Sequence, residues 1–121
     1  MPKILLIEDD ELLQKIITLT LERLGYRIIW ISSGKGLRKI LQDADFALVL
    51  LDLSLGGEDG FGLLSIIRKM ATKEQLPVVI CSGFNGIEYV EKAIALGAND
   101  YLVKPFTQQE LIMIVEKYAK S

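Results

Sequence analysis

Three stretches of this chain are apolar without a break and then stop at polar chemistry. Ile4–Ile7 runs into Glu8-Asp9-Asp10, Ala47–Leu51 runs into Asp52, and Val78–Cys81 runs into Ser82. A strand with one face in water alternates apolar and polar residues, whereas a strand that is apolar throughout is buried on both faces. Such strands need helices above and below them. That restricts the chain to a parallel sheet covered on both sides, the doubly wound α/β architecture.

The intervening segments supply the helices. Glu11–Leu24 reads as a helix with Leu13, Ile16, Ile17, Thr20 and Leu24 on one face, stopped by Gly25. Arg27–Ile31 is a second strand, Ser32-Ser33-Gly34 a turn and Gly36–Gln42 a short helix. Leu53–Gly60 is a glycine-rich loop before a helix over Phe61–Met70, where Arg68 and Lys69 suit the C-terminal dipole. Pro77 opens the strand at Val78, and Ser82–Gly86 is a loop. Ile87–Leu96 is a helix stopped by Gly97, Tyr101–Val103 is a fifth strand, and Thr107 caps a last helix through about Tyr118. Strand and helix alternate with no long linker or repeat, so residues 1–121 are expected to form one domain, with no output domain present.

Composition narrows the function. The net charge is −2, which gives no broad basic surface for nucleic acid or an acidic membrane. One cysteine, Cys81, excludes an internal disulfide, and the absence of histidine removes His-based triads and metal sites. No apolar run approaches the roughly 20 residues of a membrane span. The start, "MPKILLIEDD", turns acidic too soon for a secretory signal. A cytoplasmic protein is expected.

In doubly wound sheets, ligands bind beyond the carboxyl ends of the strands. Strand one ends at Glu8 and Asp9, strand three at Asp52, strand four at Ser82 and strand five at Lys104. If strands one, three and four are neighbours, three carboxylates share one crevice. Like charges that close share protons or hold a cation. Oxygen ligands without His or Cys suit Mg²⁺. Lys104 would reach the crevice from the far side, and Ser82 offers a hydroxyl. Asp52 is then expected at an open, solvated strand end, beside a metal that offsets its charge.

The segments "ILLIEDD", "LVLLDLSLGGEDG", "PVVICSG" and "GANDYLVKPF", in this order and spacing, cover the whole chain. Together they resemble the receiver domain of two-component response regulators, the CheY-like family. The resemblance implies a five-stranded flavodoxin-like sheet in the order 2-1-3-4-5. It implies that Asp52 is the phosphoacceptor. It also implies that Asp9 and Asp52 ligate Mg²⁺, with Glu8 close by and acting through water, and the main-chain carbonyl of Ser54 completing the set. Ser82 resembles the switch hydroxyl, Tyr101 the switch aromatic, and Lys104 the phosphate-pairing lysine, with a cis peptide at Lys104-Pro105. The donor would be a phosphohistidine on a sensor histidine kinase or histidine phosphotransfer protein. Loading would turn Ser82 toward the phosphoryl group and let Tyr101 swing inward. That would change the face formed by the fourth helix, fifth strand and fifth helix, which would control a downstream protein or output domain, or pair two copies as a homodimer. The implied activity is a signalling switch with its own phosphotransfer and dephosphorylation, not a turnover enzyme.

The chain departs from the family pattern at Gly56, where proline is usual, and at Glu58, where methionine is frequent; "LGGEDG" is expected to be more mobile for it. Phe84, large and apolar, is expected to shield the phosphoryl site and prolong its life. Leu12 and Leu19 flank the buried stripe of the first helix, and Ile112 and Met113 stray from the Leu111, Ile114, Val115, Tyr118 stripe of the last. These suggest docking surfaces for the phosphodonor and for output. Other readings are weaker. A hydrolase with an Asp nucleophile typically carries a second aspartate where this chain has Ser54. A nucleotide or flavin binder lacks its Gly-rich loop after strand one. A degenerate receiver that only binds partners is disfavoured by the intact acids and lysine.

Overall fold

The computed structural model describes residues 1–119. Each apolar run becomes a strand: β1 (Lys3–Ile7), β2 (Arg27–Ile31), β3 (Leu48–Leu51), β4 (Val78–Ser82) and β5 (Asp100–Val103). They form one sheet in the order β2-β1-β3-β4-β5, and every neighbouring pair is parallel. Between them lie α1 (Glu11–Glu22), α2 (Leu37–Asp43), α3 (Gly60–Met70) and α4 (Ile87–Ala95), and α5 (Gln108–Ala119) follows the last strand. This is the flavodoxin-like order expected above.

The sheet divides the core in two because side chains alternate between its faces. Ile4, Leu6, Leu48, Leu50, Val79 and Cys81 pack with Ile17 and Leu21 of α1 and with Leu111 and Val115 of α5. Leu5, Ile7, Val49, Leu51, Val78 and Ile80 pack with Leu37 of α2, Leu63, Leu64 and Ile67 of α3 and Ala93 of α4. Both faces being covered, the central strands are apolar from Ile4 to Ile7, Leu48 to Leu51 and Val78 to Cys81, with polar side chains only at their ends. Among the described residues no helix is long and apolar enough to cross a membrane.

Two expectations change. The helix α1 ends at Glu22, and its buried stripe is Ile17, Thr20 and Leu21. Ile16 and Leu24, expected inside, are 51% and 46% exposed. Arg23 caps the helix, the Leu24 N–H bonds back to the Leu21 carbonyl, and Gly25 turns the chain at φ 95°. Leu24 therefore sits in a turn that has already rotated off the helical stripe. Second, the Leu53–Gly60 loop contains an antiparallel hairpin, Ser54–Leu55 against Glu58–Asp59. Gly56 and Gly57 close it at φ 50° and 102°, the two left-handed positions of a type I′ turn. The segment expected to be an irregular loop therefore contains a defined turn. At α5, Thr107 and Glu110 cap reciprocally, side chain to main chain, at 2.8 and 3.0 Å.

Candidate functional site

Strand register builds the site. Ile7 pairs with Leu51, and Leu51 with Ile80, so the residues just beyond β1 and β3 emerge side by side. The Asp52 N–H donates to the Ile7 carbonyl at 3.0 Å, and the Lys104 N–H to the Ser82 carbonyl at 2.8 Å. Carboxylate oxygens of Glu8, Asp9 and Asp52 thereby lie within 4.8 Å of one another. Lys104 closes the group, its Nζ 2.7 Å from Glu8 Oε1 and 3.1 Å from Asp52 Oδ2. The Lys104-Pro105 peptide is cis.

The crevice is narrower than expected. Asp52 is 4% and Glu8 1% exposed, so Asp52 is not at a freely solvated end; only Asp9 stands in the open. The buried acids are satisfied locally: Asp52 Oδ1 accepts the Ser54 N–H at 3.0 Å, and Glu8 Oε2 the Asp10 N–H at 3.2 Å. Three carboxylates still face one ammonium. Burial, with the nearby Asp52 charge, pushes the Glu8 carboxyl up to about 7 against the pull of Lys104 and the Asp10 N–H. Burial opposes charge on Lys104 as well, yet its hydrogen bond to Glu8 and the charges of Asp52 and Glu8 hold it above the ordinary lysine range. The most buried acid, Glu8, is thus the one whose negative charge the crevice resists, while Lys104 keeps its positive charge. A group of hard oxygen donors with unmet negative charge fits a divalent cation.

Ser82 is fully buried, and its Oγ accepts the Phe84 N–H at 3.1 Å. It shapes the loop rather than capping α4, whose cap, Gly86, has no side-chain bond. Tyr101 is half-buried and packs against the α2–α4 side of the core; its hydroxyl donates to the Phe84 carbonyl. Ser82 and Tyr101 thus hold the two ends of one residue's backbone. The Phe84 ring stacks on Tyr89, with centroids 4.8 Å apart. Cys81, beside Ser82 but facing the α1–α5 side, has its thiol pushed up to about 12 by burial.

Three partners of the site went unread in the sequence. The Trp30 indole N–H donates to the Glu8 carbonyl at 2.7 Å; a half-buried tryptophan needs such an acceptor, which was the available signal. Gly56 lies against Asp9, a Cβ there falling 3.3 Å from Asp9 Oδ2. Glu58 Oε1 accepts the Gly34 N–H at 2.9 Å. Asp10 and Asp59, by contrast, do what their positions suggest, capping α1 and α3.

A family model, the response regulator receiver domain, matches residues 4–116. The chain belongs to that family. Its relatives include the transcriptional regulatory protein HprR of Escherichia coli K12, 41% identical over 91% of this chain and 48% of HprR. This receiver domain therefore spans about half the length of such curated relatives. Among solved structures it resembles a two-component response regulator from Clostridium difficile, with TM-score 0.90, 25% identity, and coverage of 98% of this chain and 95% of that one. It also resembles the receiver domain of the sensor histidine kinase PA1611 from Pseudomonas aeruginosa PAO1, which carries a magnesium ion in its active-site cleft: TM-score 0.86, 28% identity, 99% of this chain and 98% of that one. Receiver domains are signalling switches of two-component systems that work with histidine kinases and output domains, and they are not turnover enzymes.

Proposed function

We propose that this receiver is loaded on Asp52 by a phosphohistidine of a sensor histidine kinase or histidine phosphotransfer protein, in a Mg²⁺-dependent step. The observation that carries the reading is the meeting of Glu8, Asp9, Asp52 and Lys104 at adjoining strand ends. An Asp52 carboxylate oxygen forms the new P–O bond as the P–N bond of the donor breaks. The released electron pair returns to the imidazole nitrogen, which takes up a proton from water. Lys104, already in hydrogen-bond reach of Asp52, pairs with a phosphoryl oxygen. Glu8, Asp9, Asp52 and the Ser54 carbonyl would hold Mg²⁺, which when bound supplies charge neutralisation to the phosphoryl oxygens. The domain hydrolyses its own acyl phosphate slowly and turns over no other substrate.

The phosphoryl group brings roughly −1.5 to −2 charge and new acceptors. The Ser82 hydroxyl leaves the Phe84 N–H and donates to it. Tyr101, bonded to the carbonyl of the same residue, is carried along, so the event at Asp52 reaches α4 and β5. Exposed apolar side chains Ile87 on α4, Val103 on β5 and Met113 on α5 support this face as the output or homodimer surface. An apolar cavity of about 470 Å³, lined by Leu12, Ile16, Lys104, Pro105 and Phe106, supports donor docking beside the acceptor. The larger cavity, about 710 Å³ around Phe46 and Asp45, lies at the opposite end of the strands and has no part in this chemistry. We infer a cytoplasmic location, where a buried thiol such as Cys81 stays reduced.

Intact-mass measurement with Mg²⁺ and acetyl phosphate or phosphoramidate tests the reading. An added phosphoryl mass is expected in wild type and lost in Asp52→Asn or without Mg²⁺. No adduct from small donors or from a phosphohistidine protein, together with no Mg²⁺ binding, would leave a domain that only binds partners.

A further inference from the structure

We propose that Glu58 is a positioning residue for the divalent-cation site. It latches the Ser54–Asp59 hairpin to the turn after β2, and the latched hairpin holds Ser54 and Asp9 in place for the cation. This inference rests on the reading of Glu8, Asp9 and Asp52 as a Mg²⁺ site.

The hairpin's inner edge is held by Leu55, buried in the core beside Leu53, but its outer edge is exposed and has no such support. Its ladder consists of Ser54 opposite Asp59 and Leu55 opposite Glu58, and an isolated two-stranded ribbon is marginal in water at best. Its base is pinned next to the acceptor, where the Ser54 N–H meets Asp52 Oδ1 at 3.0 Å and the Gly60 N–H meets the Leu53 carbonyl at 3.3 Å. The outer half is tethered by Glu58 Oε1, which accepts the Gly34 N–H at 2.9 Å across 24 residues of sequence.

Both ends of this arrangement are close-fitted. A Cβ on Gly34 would fall 2.3 Å from Leu63 Cδ2 and 3.0 Å from Glu58 Oε2. At the other end, a Cβ on Gly56 would fall 3.3 Å from Asp9 Oδ2. The same small element therefore sets its turn beside one proposed ligand, with no room to spare for a side chain at Gly56, carries the main chain of another, and is held from outside by Glu58. Glu58 is not among the acids grouped within 4.8 Å, so it acts through the hairpin and not as a ligand. Outer partners of this kind commonly tune metal affinity by about tenfold or more.

The test is a titration of the protein with MgCl₂ alone, followed by amide NMR, for wild type, Glu58→Ala and Glu58→Gln, with hydrogen exchange at the Gly34 and Ser54 amides. Glu58→Ala is expected to raise the Mg²⁺ Kd about tenfold and to speed exchange at both amides. Glu58→Gln, whose Oε1 can still accept the Gly34 N–H, is expected to stay near wild type on both readouts. Equal weakening in the two variants would mean that charge and not the latch matters. Faster exchange at Gly34 in Glu58→Ala with an unchanged Kd would mean that the hairpin positions nothing. Either result overturns the proposal while leaving the Mg²⁺ site intact, whereas wild type that binds no Mg²⁺ overturns the site and the latch together.

Discussion

Asn99 Oδ1 receives the Arg68 guanidinium at 2.9 Å and, on the same oxygen, the Val78 main-chain N–H at 2.9 Å. Arg68 also donates to the carbonyls of Gly97 at 2.7 Å and Leu76 at 2.9 Å. One side chain thus ties the end of α3 to the entry of β4, the strand that delivers Ser82, and to the turn before β5. Lysine keeps the charge but not the planar fork. Arg68→Lys is expected to lose about 2–3 kcal/mol of stability, read from urea unfolding with an unchanged slope. A loss below about 0.5 kcal/mol, typical of a surface change, would mean that water replaces these bonds freely.

Glu8 sets an unusual pH dependence for the metal-free protein. Its carboxyl is raised from 4.5 to about 7 in the fold, chiefly by burial. A raised value means that the neutral form is favoured when folded, so its contribution to stability is full below pH 4.5 and is lost as pH rises to about 7. In EDTA, wild type should lose melting temperature across that window relative to Glu8→Gln, in which the slope flattens. Parallel profiles for the two proteins would assign the slope to other groups.

Phe84 is joined to the site by its backbone and to Tyr89 by its ring. Phe84→Ala keeps the backbone bonds and removes the cover. Acyl-phosphate loss, followed by mass after the donor is withdrawn, is expected to speed up several-fold. An unchanged rate would mean that the ring only packs against Tyr89.

Leu12 and Leu19 are 70% and 57% exposed on α1. Glutamate at both positions should slow transfer from a phosphohistidine protein by about tenfold, the effect of ~1.4 kcal/mol, while loading by acetyl phosphate and the unfolding midpoint stay as in wild type. Unimpaired transfer from the protein donor would move the docking surface elsewhere.

The sheet was legible because unbroken apolar runs have few alternatives, and the acids because each directly follows a strand. What escaped was set by packing or by distance along the chain. In α1 leucine and isoleucine recur so often that two stripes compete, and only contact with the sheet selects Ile17 and Leu21 over Ile16 and Leu24. Arg68 looked like a dipole partner because its acceptors Gly97 and Asn99 lie 29 and 31 residues away. Glu58 and Trp30 reach 24 and 22 residues, beyond anything a local pattern records. The Ser54–Asp59 hairpin escaped because its ladder is only two residue pairs long, too short for an alternating pattern to show.

Glu8 and Lys104 meet across 96 residues. A chain emerging from the ribosome displays its acids early, while the ammonium that pairs with them arrives only after β5, the last of the five strands in sequence. Until then Asp52 stands among like charges with no cation of the protein's own, poorly prepared to be loaded. On the proposed reading, competence to receive a signal thus waits until Lys104 has been made, and a fragment ending before it would stay silent.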